Sequence, residues 1–130
     1  MTMPTQKLKT LVSYLFILAA GLGAGYVLAQ IPQWLKPNYT EGNYAAYYPN
    51  AKTKVVLYGT QSCSYCKKTR EFLRAQNVTF LDLDVQQSDK ARKDFEQLGG
   101  NGVPLVLIGD RQIRGFNQSA LEAALKKITQ

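Results

Sequence analysis

The apolar and polar positions divide the chain into three stretches of different character. Residues 11–31, LVSYLFILAAGLGAGYVLAQI, run for 21 positions without a charge, enough for a helix to cross the hydrocarbon core of a bilayer. Residues 32–53 carry Pro32, Pro37 and Pro49 and little periodicity. They read as a linker, with one helical turn around Thr40 to Tyr48. From Lys54 onward, short apolar sets recur regularly. A strand is expected at 54–59, then a helix at 64–76 with Tyr65, Thr69, Phe72, Leu73 and Gln76 on one face. A second strand is expected at 78–85. Ser88 then reads as a helix N-cap with Asp89 in the first turn, Ala91, Phe95 and Leu98 on one face, and Gly99-Gly100 as the stop. Strands at 104–108 and 111–114 flank a Gly109-Asp110 turn. A last helix from about Asn117 buries Leu121, Leu125 and Ile128, and Lys126 and Lys127 suit its C-terminal dipole. The order is βαβαββα, an α/β fold. The organisation expected is 1–31 membrane segment, 32–53 linker and 54–130 globular domain.

The first stretch fits two readings. Lys7 and Lys9 precede it and the next charge is Lys36, so the positive-inside rule leaves the N-terminus cytoplasmic and exports the rest of the chain. Tyr26 and Trp34 stand near its far end, where interfacial aromatics are expected. The alternative is a cleavable signal, with 11–20 as its apolar region and Val27-Leu28-Ala29 as the cleavage site. Apolar character continues past Ala29, which favours an uncleaved anchor over a secreted product. Either reading places the globular domain outside the cytoplasm, in a periplasmic or equivalent space. Gly21, Gly25 and Ala29 put small residues on one helix face, as in a weak dimerisation surface, although glycine is common in membrane helices anyway. Asn38-Tyr39-Thr40 has the form of a glycosylation sequon.

Composition narrows the chemistry. The 130-residue chain has 16 Lys+Arg against 9 Asp+Glu, a net charge of +7. From Lys52 onward, 13 bases against 8 acids leave about +5, interleaved rather than striped. Nucleic acid is therefore not an expected partner, since binding it needs a clustered basic face. The chain has two cysteines and no histidine, so one copy cannot supply the four ligands of a structural zinc site.

Those two cysteines form Cys63-Ser64-Tyr65-Cys66, placed where a strand gives way to a helix. A helix N-terminus carries unpaired N–H groups and about half a positive charge, which favours thiolate over thiol. Such a pair suits reversible thiol chemistry. The alternative is a structural disulfide, which would restrain little chain because so short a loop closes at small entropic gain.

The element order, Cys63-Ser64-Tyr65-Cys66 after the first strand and Val103-Pro104 opening the third, resembles the glutaredoxin branch of the thioredoxin fold. The likeness covers about 54–128. It implies Cys63 as the nucleophile and Cys66 as the resolving thiol of a thiol–disulfide oxidoreductase. It also implies a cis peptide before Pro104, with the Val103 backbone pairing with an extended substrate. Thr60, Tyr65, Val103, Pro104, Gly115, Phe116 and Asn117 fall where the family binds substrate or glutathione. Two of these depart from the family pattern: Thr60 replaces a lysine that meets a glutathione carboxylate, and Asn117 replaces an acid that meets its amine. The Gly115-Phe116 variant is similar to redoxins not dedicated to glutathione. Lys67, Lys68 and Arg70 add positive charge, expected to be exposed. No cofactor is required, and glutathione is a candidate co-substrate. Ser64 resembles a feature of glutaredoxins that hold a [2Fe-2S] cluster between subunits, a reading disfavoured here by Thr60, Asn117 and export. The expected partners are disulfide-bearing proteins or glutathione mixed disulfides.

Overall fold

A computed structural model of the chain describes residues 4–29 and 38–130. It contains two compact units, Met1–Lys36 and Pro37–Gln130. Among its described residues the first holds one helix, α1 (Thr5–Ala29). Its Thr5–Val27 portion, 23 residues, is long and apolar enough to cross a membrane, rising about 35 Å at 1.5 Å per residue. The helix begins before the charge-free stretch. Pro4 starts it, its carbonyl accepting the N–H of Lys7 at 2.9 Å, and the good helix formers between Thr5 and Thr10 extend it. Its leucine, isoleucine and phenylalanine side chains are exposed as far as Val27. An ideal Cβ at Gly21, Gly23 or Gly25 meets nothing within 4 Å. Gln30, Ile31, Pro32, Trp34, Lys36 and Pro37 lie outside the described residues.

The second unit is a five-stranded sheet. Its strands are β1 (Tyr39–Glu41), β2 (Val55–Gly59), β3 (Leu81–Asp84), β4 (Leu105–Ile108) and β5 (Arg111–Arg114), in the spatial order β1-β5-β4-β2-β3. β2 and β3 are parallel, joined by α2 (Ser64–Ala75), and the other pairs are antiparallel. α3 (Asp89–Gln97) precedes β4, and α4 (Gln118–Thr129) follows β5. Every residue of β2 and β4 is buried, as expected of central strands covered on both faces. One face, with Val55, Leu57, Val106, Ile108 and Ile113, packs on Leu73 of α2 and on Leu121, Ala124 and Leu125 of α4. The other, with Val56, Tyr58, Leu105 and Leu107, packs on Ala91 and Leu98 around α3 and on Tyr44. This is the thioredoxin-like α/β arrangement that the order of elements predicts.

Three differences from the sequence reading have local causes. The strand expected at 78–85 forms only over Leu81–Asp84. Asn77 takes a left-handed φ of 53°, and the N–H of Val78 returns to the carbonyl of Leu73 at 3.1 Å, a Schellman stop that consumes the first residues. The buried face of α2 is Cys66, Thr69, Arg70 and Leu73, so Tyr65 and Gln76 do not lie on it. The stretch read as a linker is folded over much of its described part. Tyr39, Thr40 and Glu41 pair with Ile113, Gln112 and Arg111 as an added edge strand. A 3₁₀ turn at Ala45–Tyr47 follows, within the stretch where one helical turn is expected. Tyr44, Tyr47 and Tyr48 cover the second face, and the Tyr48 hydroxyl donates to the Gly109 carbonyl at 2.8 Å.

Candidate active site

β2 ends at Gly59, and the chain turns within four residues into α2, whose N-cap is Cys63 with extended backbone (φ −79°, ψ 116°). The sulfur of Cys63 takes the place a capping oxygen usually fills and accepts the N–H of Cys66 at 3.1 Å. A first-turn amide therefore points at this sulfur, and the same amide would face a thiolate after reduction. Cys63 and Cys66 are joined by a disulfide, with Cα atoms 5.2 Å apart. Their surroundings differ: Cys63 is half-buried, and Cys66 is fully buried. An incoming thiol or disulfide thus reaches Cys63 before Cys66.

Beside Cys63 stands the start of β4. The Val103-Pro104 peptide is cis, and the Cys63 sulfur is 3.9 Å from the Val103 carbonyl oxygen. Pro104 is buried, Val103 half-buried, and the Pro104 carbonyl accepts the N–H of Gly115 at 2.8 Å. Gly115 has φ 71°, a conformation that L side chains rarely adopt, and it turns the chain from β5 towards α4. Cys63, Val103-Pro104 and Gly115 thus form one contiguous set from three separate parts of the sequence.

The other residues singled out from the sequence lie around this set in different roles. Tyr65 is 57% exposed, with the Lys68 ammonium 5.4 Å from its ring centre. Phe116 packs edge-to-face on Phe72, ring centres 6.3 Å apart. Asn117 caps α4, its Oδ1 accepting the N–H of Ala120 at 3.0 Å and the hydroxyl of Ser119 at 2.9 Å. Phe116 and Asn117 share a cleft of about 360 Å³ with Asn38, Tyr39, Thr40, Gln112 and Arg114. A larger cleft, about 1160 Å³, is elsewhere. It is lined by Tyr44, Tyr48, Gly109, Asp110 and Lys127, at the end of β4 remote from Pro104, and contains none of the residues singled out for chemistry.

Thr60 is 7% exposed, and its carbonyl accepts Nη1 of Arg70 at 3.3 Å. Arg70 corrects an expectation. It is buried, not exposed, and grips Asp82 of β3 through Nε at 2.7 Å and Nη2 at 3.2 Å. Two further residues of the site region were missed from sequence: Asp82, which pairs with Arg70, and Gly59. An ideal Cβ at Gly59 would come within 3.0 Å of the Cys66 sulfur, so this strand end must be bare for Cys66 to sit where it does. The available signal was spacing: Arg70 follows Cys66 by one helical turn and so shares its face.

The comparisons agree with this geometry. The glutaredoxin family model matches residues 55–113. A glutaredoxin-like 8.6 kDa protein in the rubredoxin operon of Clostridium pasteurianum is 34% identical over 74 residues, 56% of this chain and 99% of that protein. The N-acetyl-S-hydroxy-L-cysteine reductase of Bacillus subtilis is 29% identical over 70 residues, 52% of this chain and 75% of that one. Among solved structures, the glutaredoxin of Archaeoglobus fulgidus superposes with a TM-score of 0.53 at 26% identity, covering 65% of this chain and 96% of its own. The site and fold define a redox protein of the thioredoxin-like class. Within it, the chain belongs to the glutaredoxin family.

Proposed function

We propose that the protein is a membrane-tethered thiol–disulfide oxidoreductase whose domain works outside the cytoplasm. The observation that carries this reading is the asymmetry of the cysteine pair. Cys63 is reachable, capped by a helix amide and beside the Val103 carbonyl, while Cys66 is fully buried one turn further on. The reduced Cys63 thiolate attacks a substrate disulfide. A Cys63–substrate bond forms, the substrate S–S bond breaks, and the departing sulfur leaves as thiolate and takes a proton. Cys66, as thiolate, then attacks the Cys63 sulfur, closes the Cys63–Cys66 bond and expels the second substrate sulfur. Two electrons pass from the dithiol to the substrate, and an external thiol or dithiol restores the pair. Two sulfurs hold both electrons, so the exchange needs no cofactor.

The backbone of Val103 offers an extended segment of substrate a place to pair, with Pro104 as the wall behind it. Protein disulfides fit this site better than glutathione alone. Thr60 is buried with its carbonyl engaged by Arg70, and Asn117 spends its carbonyl oxygen on capping α4. Glutathione mixed disulfides are accepted as smaller substrates through Cys63. The Bacillus subtilis relative, a reductase of an S-hydroxylated cysteine, supports reductive sulfur chemistry on this framework. Export is supported by the length and apolarity of α1 and by Lys7 and Lys9 at its start.

Labelling tests location and chemistry together. Intact cells producing the full chain are reduced, then treated with a membrane-impermeant maleimide. Labelling of Cys63 without lysis, and loss of disulfide exchange in Cys63→Ser, are expected. Labelling only after lysis overturns the export reading, and full turnover by Cys63→Ser overturns the chemistry.

A further inference from the structure

We infer that Arg70 is a positioning residue that places buried positive charge against Cys66 and so sets the rate at which Cys66 acts as thiolate. The inference rests on the reading of Cys66 as the resolving sulfur. α2 already favours charge on Cys63, whose sulfur receives a first-turn N–H. Cys66 has no comparable help from water: its exposure is 0%. Burial in an apolar setting disfavours the thiolate, yet exchange needs that charge in both directions. When a donor thiolate attacks Cys63 of the intramolecular disulfide, Cys66 departs carrying the electron pair. When Cys66 attacks the mixed disulfide, it must first lose its proton.

The guanidinium is the nearby group fitted to offset this cost. An ideal Cβ on Gly59 would lie 3.0 Å from the Cys66 sulfur and 3.4 Å from Nη2 of Arg70. The sulfur and that nitrogen are therefore at most 6.4 Å apart, the sum of the two, across a position where a glycine leaves room. Arg70 is 9% exposed and always charged. Its fork is fixed at three points, two on the Asp82 carboxylate and one on the Thr60 carbonyl. Asp82 opposes the field, but its side chain is 34% exposed against 11% for that of Arg70. Water screens the carboxylate more than the guanidinium, so net positive potential remains at the buried sulfur. Lys67 and Lys68, by contrast, are exposed on the solvent side of the helix.

The ion pair could instead be a brace between α2 and β3, and the two roles predict different signs. In the full-length protein held in detergent micelles, a chromogenic aryl disulfide is mixed with reduced protein. The first thiol released reports attack by Cys63, and the second reports resolution by Cys66. Arg70→Met should slow the second release about threefold, because losing one pK unit of thiolate stabilisation cuts the thiolate fraction about tenfold while the more basic sulfur attacks about threefold faster, and should leave the first nearly unchanged. Arg70→Lys should recover most of the rate. Asp82→Asn, which removes the opposing charge, should resolve at least as fast as the native protein. A native second step in Arg70→Met, or an Asp82→Asn variant slowed as much as Arg70→Met, overturns the inference and leaves a brace. If Arg70→Met does not fold, Arg70→Lys and Asp82→Asn carry the test, because a brace predicts that both are slowed. A native protein that forms no mixed disulfide at Cys63 fails earlier, at the proposed function itself.

Discussion

Tyr39 pairs with Ile113 in an antiparallel register, one residue from Arg114, which itself faces Leu105 beside the cis proline. The stretch that looks like a linker therefore enters the domain at the end of the sheet that carries the cysteine pair. From there it runs along the edge of β5 and over the second face. Arg111 stacks on the Tyr39 ring at 4.2 Å and pairs with Glu41 at 3.3 Å, holding this added strand at the sheet edge.

Removal of that stretch should therefore cost stability, not merely reach. A chain of residues 54–130 loses β1 and the cover that Tyr44 and Tyr48 give to Tyr58, Leu105 and Leu107. Compared with residues 37–130, it should be less stable in urea by about 3 kcal/mol or more, the value of burying one or two large side chains. Equal urea midpoints would show that the tyrosines only rest on the surface.

Gly59→Ala should damage both fold and site. The new methyl would meet the Cys66 sulfur at 3.0 Å and its Cβ at 3.3 Å, inside a packed core. Overpacking of this kind costs about 1–3 kcal/mol. Thermal unfolding should register that loss, and the release step assigned to Cys66 should slow. Native values for both would show that Cys66 has room to shift.

The hydroxyls of Tyr48 and Tyr58 should respond in opposite ways to removal. Tyr48 donates to the Gly109 carbonyl at 2.8 Å, so Tyr48→Phe should lose about 1 kcal/mol. The Tyr58 hydroxyl is buried without a hydrogen-bond partner among the described residues, and Tyr58→Phe should be neutral or stabilising. Chemical denaturation of both variants decides the matter. Matching losses would mean that Tyr58 is satisfied in solution.

Alkali should unfold the domain through the same residues. Burial raises the ionisation of Tyr44, Tyr48 and Tyr58 above the ordinary 10.0; Asp110 adds to the shift at Tyr48, and Asp94 to that at Tyr58. Because the folded values are raised, this contribution to stability is complete below pH 10 and is lost as pH rises through the folded values. The urea midpoint should hold up to about pH 10 and fall beyond it, with tyrosinate absorbance rising as the protein unfolds. Ionisation of all tyrosines without unfolding would contradict this.

Much of the framework was legible because it is written locally. Ser88 and Asn117 cap helices as their residue types suggest, the apolar runs at 55–59 and 105–108 are the central strands, and the cysteine pair falls at a strand-to-helix junction. The hidden features depend on distant partners. Tyr39, Thr40 and Glu41 make a strand too short and polar to announce itself, and its mates lie some 70 residues later. Arg70 reads as a surface charge until Asp82 is placed beside it by the parallel pairing of β2 and β3. From spacing alone, Tyr65 reads as sharing one face of α2 with Thr69, Phe72, Leu73 and Gln76. The helix instead turns Cys66 and Arg70 inward and leaves that ring in solvent.

The division of labour between the two cysteines is tested most directly by trapping. Reduced Cys66→Ser protein is incubated with a peptide disulfide and digested under acid conditions, and the adducts are mapped by mass spectrometry. The account predicts one stable peptide disulfide on Cys63, absent from the native protein, in which Cys66 resolves it. No adduct on Cys63, together with unimpaired exchange by Cys63→Ser, would contradict it.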